Sequence, residues 1–258
     1  MQEAISEFSK LWRSLLGTII FYTICPIPES WQPSFSRIAR WCPLLGLMLG
    51  GILSGVFFLL SELNTPTLLK SVITVSLWLG LTGGLHLDGA MDSADGLAVT
   101  DPQRRLEVMV DSVTGAFGVM NAIVILLLKV AAVNELTSEQ WWLLPLILAW
   151  GRWSQVTAIA FYPYLKPTGK GAFHKQDFQN PTDLIISIIP ITIFATWTSI
   201  NYSSPTQQLL FNSLCIVTAI GFSFWFQCKF QGQTGDTYGA TVEWTESILL
   251  SLSAIILQ

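Results

Sequence analysis

The feature that most restricts this chain is the recurrence of long apolar stretches nearly free of charge. Runs at 43–61, 68–84, 117–133, 141–161, 183–200, 207–228 and 240–258 each approach the roughly 17–25 residues an α-helix needs to cross a bilayer. In lipid every backbone polar group must be satisfied internally, so runs of this length read as helices. The expectation is an all-α, polytopic membrane helix bundle of about seven spans, forming one integral-membrane domain over 1–258. Composition agrees: charged residues make up 12% of the 258, against roughly a quarter in soluble domains. Residues 14–25 form a shorter apolar run ending in "CPIP", expected as an interfacial or re-entrant helix. Met1–Lys10 is polar and contains acids, unlike a signal peptide. Cys25, Cys42, Cys215 and Cys228 show no metal-like spacing and are assigned no chemistry.

Cation placement orients the bundle. Lys10, Arg13, Arg37 and Arg40 precede the first span, Arg104 and Arg105 follow the second, Lys166, Lys170 and Lys175 follow the fourth, and Lys229 follows the sixth. The intervening connections, near 62–67, 134–140 and 201–206, have no Lys or Arg. By the positive-inside rule the N-terminus is cytoplasmic and the C-terminus external. Lys70 and Lys129 fall near outer span ends, where they are expected to snorkel. Arg152 alone is expected deep within a span. Every acid-rich connection then faces the cytoplasm, and with a net charge of −4 no nucleic-acid partner is expected.

The segment "LHLDGAMDSADGL" places Asp88, Asp92 and Asp95 at i, i+4 and i+7, on one face of a helix. Like charges that close raise each other's pKa unless a cation sits among them. Carboxylates on a short element suit Mg²⁺, which shares its remaining positions with water and substrate phosphates. The alternative is a solvated loop whose acids cap helices. Downstream, "TDPQRRLEVMVDSVTGAFGV" opens with Asp101 as N-cap and Pro102 at the first helical position. Leu106, Met109, Val110 and Val113 form one stripe, so a helix along the membrane surface is expected. Asp111 on it is a candidate for the site, and Glu107 is expected to pair with Arg104.

A second acid group, Asp236, Glu243 and Glu246, lies in "QGQTGDTYGATVEWTES" at the start of the last span. Alone it reads equally as an acidic helix start favoured by the dipole. Facing the first group on the same membrane side, it completes a divalent-metal site. The loop "YPYLKPTGKGAFHKQDF" supplies Lys166, Lys170, His174 and Lys175 without forming a Walker A sequence. It is either positive-inside decoration or a phosphate contact. Arg152 calls for a carboxylate or phosphate partner. His86 is either a general base or a structural hydrogen-bonder. The residues alone lead to a membrane enzyme with a cytoplasmic, Mg²⁺-dependent site for a phosphorylated substrate.

These blocks resemble the cobalamin synthase family, the adenosylcobinamide-GDP ribazoletransferases. "GGLHLDGAMDSADGL" resembles its Asp-rich signature, "FYTICPIP" its N-terminal segment and "MVDSVTGAFGV" its "DS…G.FGV" block. "GRW", "GKGAF" and "QTGDTYGATVEWTE" resemble its Arg-Trp pair, Gly-rich loop and C-terminal block. The resemblance implies a late step of coenzyme B12 biosynthesis in the inner membrane, with the active site facing the cytoplasm. α-Ribazole, or α-ribazole 5′-phosphate, would attack the cobinamide-side phosphorus of adenosylcobinamide-GDP. GMP would leave and adenosylcobalamin, or its 5′-phosphate, would form. On this chain Asp88, Asp92 and Asp95 would bind Mg²⁺, with Asp236 and Glu243 as further ligands or base. Lys170 and Arg152 would neutralise diphosphate charge, with Lys166 and Asp111 as further substrate contacts. Val110 and Val113 stand where relatives carry a Lys and a basic or polar residue, so phosphate charge must be met elsewhere. Membrane lipid is an expected partner, and assembly with a second copy stays open.

Three rival classes share some of these features. An intramembrane prenyltransferase needs Asn-Asp-x-x-Asp-x-x-x-Asp, and an alcohol phosphatidyltransferase needs Asp-Gly-x-x-Ala-Arg; neither run occurs. A cation or cobamide transporter would place its ionisable residues at the midplane of repeated, broken helices, whereas these acids lie at span ends.

Overall fold

The computed structural model describes residues 2–111, 113–166, 169, 171–202 and 205–256. Among the described residues the fold is helical, with no strand and one isolated parallel bridge, Tyr164 to Gln233. The helices are α1 (Gln2–Tyr22), α2 (Cys42–Glu62), α3 (Thr67–Leu81), α4 (Leu85–Ala98), α5 (Pro102–Val108), α6 (Ala116–Asn134), α7 (Leu143–Phe161), α8 (Ala172–Asp177), α9 (Thr182–Asn201), α10 (Pro205–Phe230) and α11 (Gly235–Ile256).

Among the described residues four stretches are long and apolar enough to cross a membrane: Ile38–Glu62, Ala116–Asn134, Thr182–Asn201 and Thr206–Phe230. A fifth is added if α3 and α4 count as one broken span, bent by 88°. This is a multi-pass membrane protein. The break falls at Gly83 and Gly84, whose φ values of 58° and 70° lie where a side chain is strained. The apolar run expected as one span over 68–84 therefore ends at Leu81, and the aspartate segment starts a separate helix. The runs at 141–161 and 240–258 are helical as α7 and α11 but too polar to qualify as spans by composition. The reason is their position: α7 is buried along nearly its whole length, including Arg152, Ser154, Gln155 and Thr157, and α11 buries Thr237, Thr241, Glu243 and Glu246. Helices surrounded by protein need no apolar face toward lipid.

The bundle is organised around those two helices. α7 packs on α2, α9, α10 and α11, while α11 also packs on α4, α6 and α10. α2 meets α7 backbone to backbone: a Cβ on Gly50 would lie 2.3 Å from Pro145 Cα, and one on Gly46 would lie 2.6 Å from the Leu148 carbonyl oxygen.

Several local expectations are corrected. The run at 14–25 is helical only through Tyr22, as the second half of a 21-residue helix, α1, because the polar residues before it continue the same helix. The surface helix expected through Val113 stops at Val108; Met109 is buried, whereas Val110 and Val113 lie past its end and are exposed. Lys70 does not snorkel. It is buried, with its Nζ 3.0 Å from Ser61 Oγ and 4.1 Å from the centre of the Phe57 ring.

Candidate active site

α4 and α11 cross at two reciprocal glycine contacts. A Cβ on Gly89 would meet the Asp236 carbonyl oxygen at 2.7 Å, and one on Gly239 would meet the His86 carbonyl oxygen at 2.9 Å. The absence of side chains lets the two backbones touch, and that contact brings Asp88 and Asp236 to one cavity of about 290 Å³. The α11 start is fixed by Thr234 and Thr237, which exchange backbone-to-hydroxyl bonds of 2.8 and 3.1 Å. Two backbone bonds of 2.8 Å, Leu165 N to Gln233 O and Gln233 N to Pro163 O, lay the preceding loop alongside. They deliver Lys166, whose Nζ sits 3.0 Å from Asp236 Oδ2.

Asp92, one helical turn from Asp88, is half-buried in the field of Asp88, Asp236 and Asp95, opposed by Lys166. Asp95 is otherwise engaged. It is buried, and its two oxygens accept the Gly115 N–H at 2.7 Å and the Gly118 N–H at 2.8 Å, capping α6. A Cβ at either glycine would strike that carboxylate, at 2.4 and 2.5 Å. Asp111 is exposed, accepts the Val113 N–H at 3.1 Å and does not line the cavity. Lys170 lies outside the described residues.

Glu243 and Arg152 belong to a buried charge network. Lys129 Nζ donates to Glu243 Oε2 and to Glu246 Oε2, both at 2.8 Å, and Arg152 Nη1 donates to Glu246 Oε1 at 2.7 Å. Gly151 makes the room, since a Cβ there would lie 2.3 Å from Glu246 Cγ. The expectation that Lys129 snorkels and that Arg152 alone lies deep in a span is therefore corrected. Lys129 is 3% exposed and 3.9 Å from the centre of the Trp78 ring. An unpaired ammonium in that setting would be far costlier than the ordering of two carboxylates around it.

Single residues from four helices complete the cavity: Tyr22 at the end of α1, Gln155 on α7, His174 on α8 and Tyr238 on α11. The Tyr22 ring lies between the His86 and His174 rings, at centroid distances of 5.7 and 5.6 Å. Gln155 Nε2 donates to Tyr22 OH at 2.7 Å, and that hydroxyl stands 3.1 Å from His174 Nε2. Burial holds the His174 imidazole down at about 3, so it is neutral, and one of its ring nitrogens donates while the other accepts. His86 Nε2, Gln155 Oε1, His174 Nδ1 and Tyr238 OH are all buried without a hydrogen-bond partner among the described residues. Such atoms are rare and demand a ligand or water. Gln155 was within reach of sequence reasoning, as a polar side chain inside an apolar run.

Among the described residues no three His, Cys, Asp or Glu side chains converge as a ready metal cage. Asp88, Asp92 and Asp236 still have the donor chemistry for Mg²⁺, which takes one or two protein carboxylates and completes its shell with water and phosphate oxygens.

A family model described as cobalamin-5-phosphate synthase matches residues 14–254. The chain is 51% identical over 240 residues to the adenosylcobinamide-GDP ribazoletransferase of Thermosynechococcus vestitus, covering 93% of this chain and 95% of that one. It is 46% identical to the protein of the same name from Trichormus variabilis, over 94% of this chain and 97% of that one. The Synechocystis protein of that name is also 46% identical, over 96% of this chain and all of its own length. No solved structure matches the chain.

Proposed function

The chain belongs to the cobalamin-5-phosphate synthase family, and from that premise we propose that it is an adenosylcobinamide-GDP ribazoletransferase. It acts in a late step of cobalamin synthesis. A hydroxyl oxygen of α-ribazole, or of α-ribazole 5′-phosphate, forms a bond to the cobinamide-side phosphorus of adenosylcobinamide-GDP. The bond from that phosphorus to the bridging oxygen breaks, GMP leaves with that oxygen, and the hydroxyl proton passes to a cavity carboxylate. The observation that carries this reading is the meeting of Asp88 and Asp236 in one cleft, beside Asp92 and Lys166.

Asp88, Asp92 and Asp236 would hold Mg²⁺, which when bound supplies charge neutralisation at a diphosphate. Asp236 is positioned by Lys166, whose second role is to face the phosphates. The unpartnered Gln155 Oε1 and His174 Nδ1 offer hydrogen-bonding positions that suit the hydroxyls of a ribose, which both donate and accept. At about 290 Å³ the cavity matches a small substrate, so the ribazole enters it and the corrinoid approaches from outside. Arg152 and Glu243 act at one remove under the cleft, Arg152 by tying α7 to α11 through Glu246 and Glu243 by tying α11 to α6 through Lys129.

The positive-inside pattern supports a cytoplasmic N-terminus and a cytoplasm-facing cleft in the inner membrane. With α7 and α11 also crossing inside the ring of apolar helices, the spans come to about seven.

The test uses purified protein in detergent with adenosylcobinamide-GDP, α-ribazole 5′-phosphate and Mg²⁺, beside Asp92→Asn and Asp236→Asn. GMP release and cobalamin phosphate are expected from the parent only, and only with the metal. No product from folded parent protein removes the transferase reading; full activity in both variants removes the carboxylate site and leaves the reaction.

A further inference from the structure

A second cavity, of about 300 Å³, opens between α1 and residues 32–40, with Lys10, Arg13, Arg37 and Arg40 in its wall and Glu7 as the acid beside them. Its frame is rigid. Arg13 Nε donates to Gln32 O at 2.6 Å, Ser34 N to Arg13 O at 2.8 Å, Ser14 Oγ to Ser36 O at 2.8 Å and Thr18 Oγ1 to Ile38 O at 3.2 Å. Gly17 permits the contact, since a Cβ there would lie 2.0 Å from the Ser34 carbonyl oxygen. The cations are thus held by a folded scaffold.

Their charge is incompletely met. Arg37 spends its guanidinium on Asp183, with Nε 3.1 and 3.2 Å from the two carboxylate oxygens and Nη2 bonded as well. Asp183 also accepts the Gln179 N–H at 2.9 Å. Arg40 reaches that carboxylate only at 3.8 Å, is 6% exposed, and has an Nε with no partner among the described residues. The Lys10–Glu7 pair is solvent-exposed on both sides and of little energetic consequence. A buried guanidinium with an open donor is costly unless an acceptor completes it, and its planar fork fits phosphate oxygens best.

We propose that this cavity is a binding site for a phosphate-type anion, separate from the reaction cleft. Ser14 and Tyr22 mark the two sites on α1, and at 1.5 Å per residue they are roughly 12 Å apart along the axis. The ligand is a phosphoryl group carrying one or two negative charges, either of a free phosphate compound or of an anionic lipid headgroup at the membrane surface.

The experiment titrates full-length protein in dodecyl maltoside, with EDTA, using inorganic pyrophosphate in one arm and short-chain phosphatidylglycerol in the other, read by calorimetry. Arg13→Gln, Arg40→Gln and Asp236→Asn are run in parallel. Saturable binding in either arm is expected, weakened about tenfold or more by Arg13→Gln and by Arg40→Gln, a loss of one charge-assisted bond. Asp236→Asn should leave it unchanged. Binding in the pyrophosphate arm alone names a free phosphate, and in the lipid arm alone a headgroup. Binding in neither arm overturns the proposal, as does binding that Arg13→Gln leaves intact or that Asp236→Asn abolishes. Arg13 is only half-buried, so its variant keeps the test sound if Arg40→Gln does not fold.

Discussion

Replacing Glu246 by Gln probes the charge network beneath the cleft. Glu246 is fully buried and accepts Lys129 Nζ at 2.8 Å and Arg152 Nη1 at 2.7 Å. Lys129 keeps a second carboxylate, Glu243, at 2.8 Å. Arg152 has only the Leu148 carbonyl oxygen at 3.2 Å besides, and its Nε and Nη2 are unpartnered among the described residues. Glu246→Gln preserves shape but leaves a guanidinium 1% exposed without a carboxylate. One such contact corresponds to about 6 kcal/mol at an effective dielectric near 20, an upper bound, and breaking a buried pair from one side costs about 3–5 kcal/mol. Adding Arg152→Met removes the orphaned cation while Lys129 and Glu243 remain paired. The double variant is therefore expected to fall short of the summed single losses by about 2 kcal/mol. Reversible unfolding in mixed SDS micelles, followed by circular dichroism, measures all three variants. Single losses below about 1 kcal/mol, or additivity within about 0.5 kcal/mol, would refute the network as a structural unit and return Arg152 to the phosphates.

Three further outcomes are expected. Burial lowers the His174 pKa from 6.5 to about 3, so below 6.5 the unfolded chain takes up a proton that the folded one refuses. Stability present above pH 6.5 is lost on acidification toward 3, about 2 kcal/mol of it by pH 5; the thermal midpoint should fall over that window and fall less in His174→Gln, and an equal fall in both contradicts the assignment. Gly89→Ala sets a Cβ 2.7 Å from the Asp236 backbone and should cost about 1–3 kcal/mol together with activity. Gly55→Ala, with nothing within 4 Å, should gain up to about 1 kcal/mol, and similar thermal shifts in the pair would contradict the close helix contact. Lys166→Gln should raise KM for adenosylcobinamide-GDP with a stability change under about 1 kcal/mol, since its bridge to Asp236 is partly exposed; an unchanged KM removes its phosphate role.

The helical class and the membrane setting were legible because they depend on composition alone: apolar runs near bilayer length leave few other folds. The acid clusters stood out because charge is scarce in this chain. Spacing then misled in one direction. Residues at i and i+7 share a helix face, but they stand about 10 Å apart along it, so Asp95 reaches the start of α6 while Asp88 stays at the cleft. Lys129 was misjudged for a related reason. Its distance from a span end was visible, but the rotation that points it at Glu243 and Glu246 depends on how α6 meets α11. Tyr22, His174 and Tyr238 each sit in a separate stretch of sequence, and they become a cluster only where those three segments meet.

By itself, then, the sequence determined what must be buried in lipid, which loops carry positive charge, and which scarce carboxylates a site can draw on. These follow from transfer energies and charge, which act residue by residue. Tertiary structure decided which carboxylates are free and which are spent, because pairing requires two surfaces in register. Gly89 and Gly239 let α4 and α11 close together around Asp88 and Asp236, whereas Glu243 and Glu246 were claimed by Lys129 and Arg152. A carboxylate in a low-dielectric interior goes to the nearest cation, and only the packing of helices distant in sequence determines which cation is nearest.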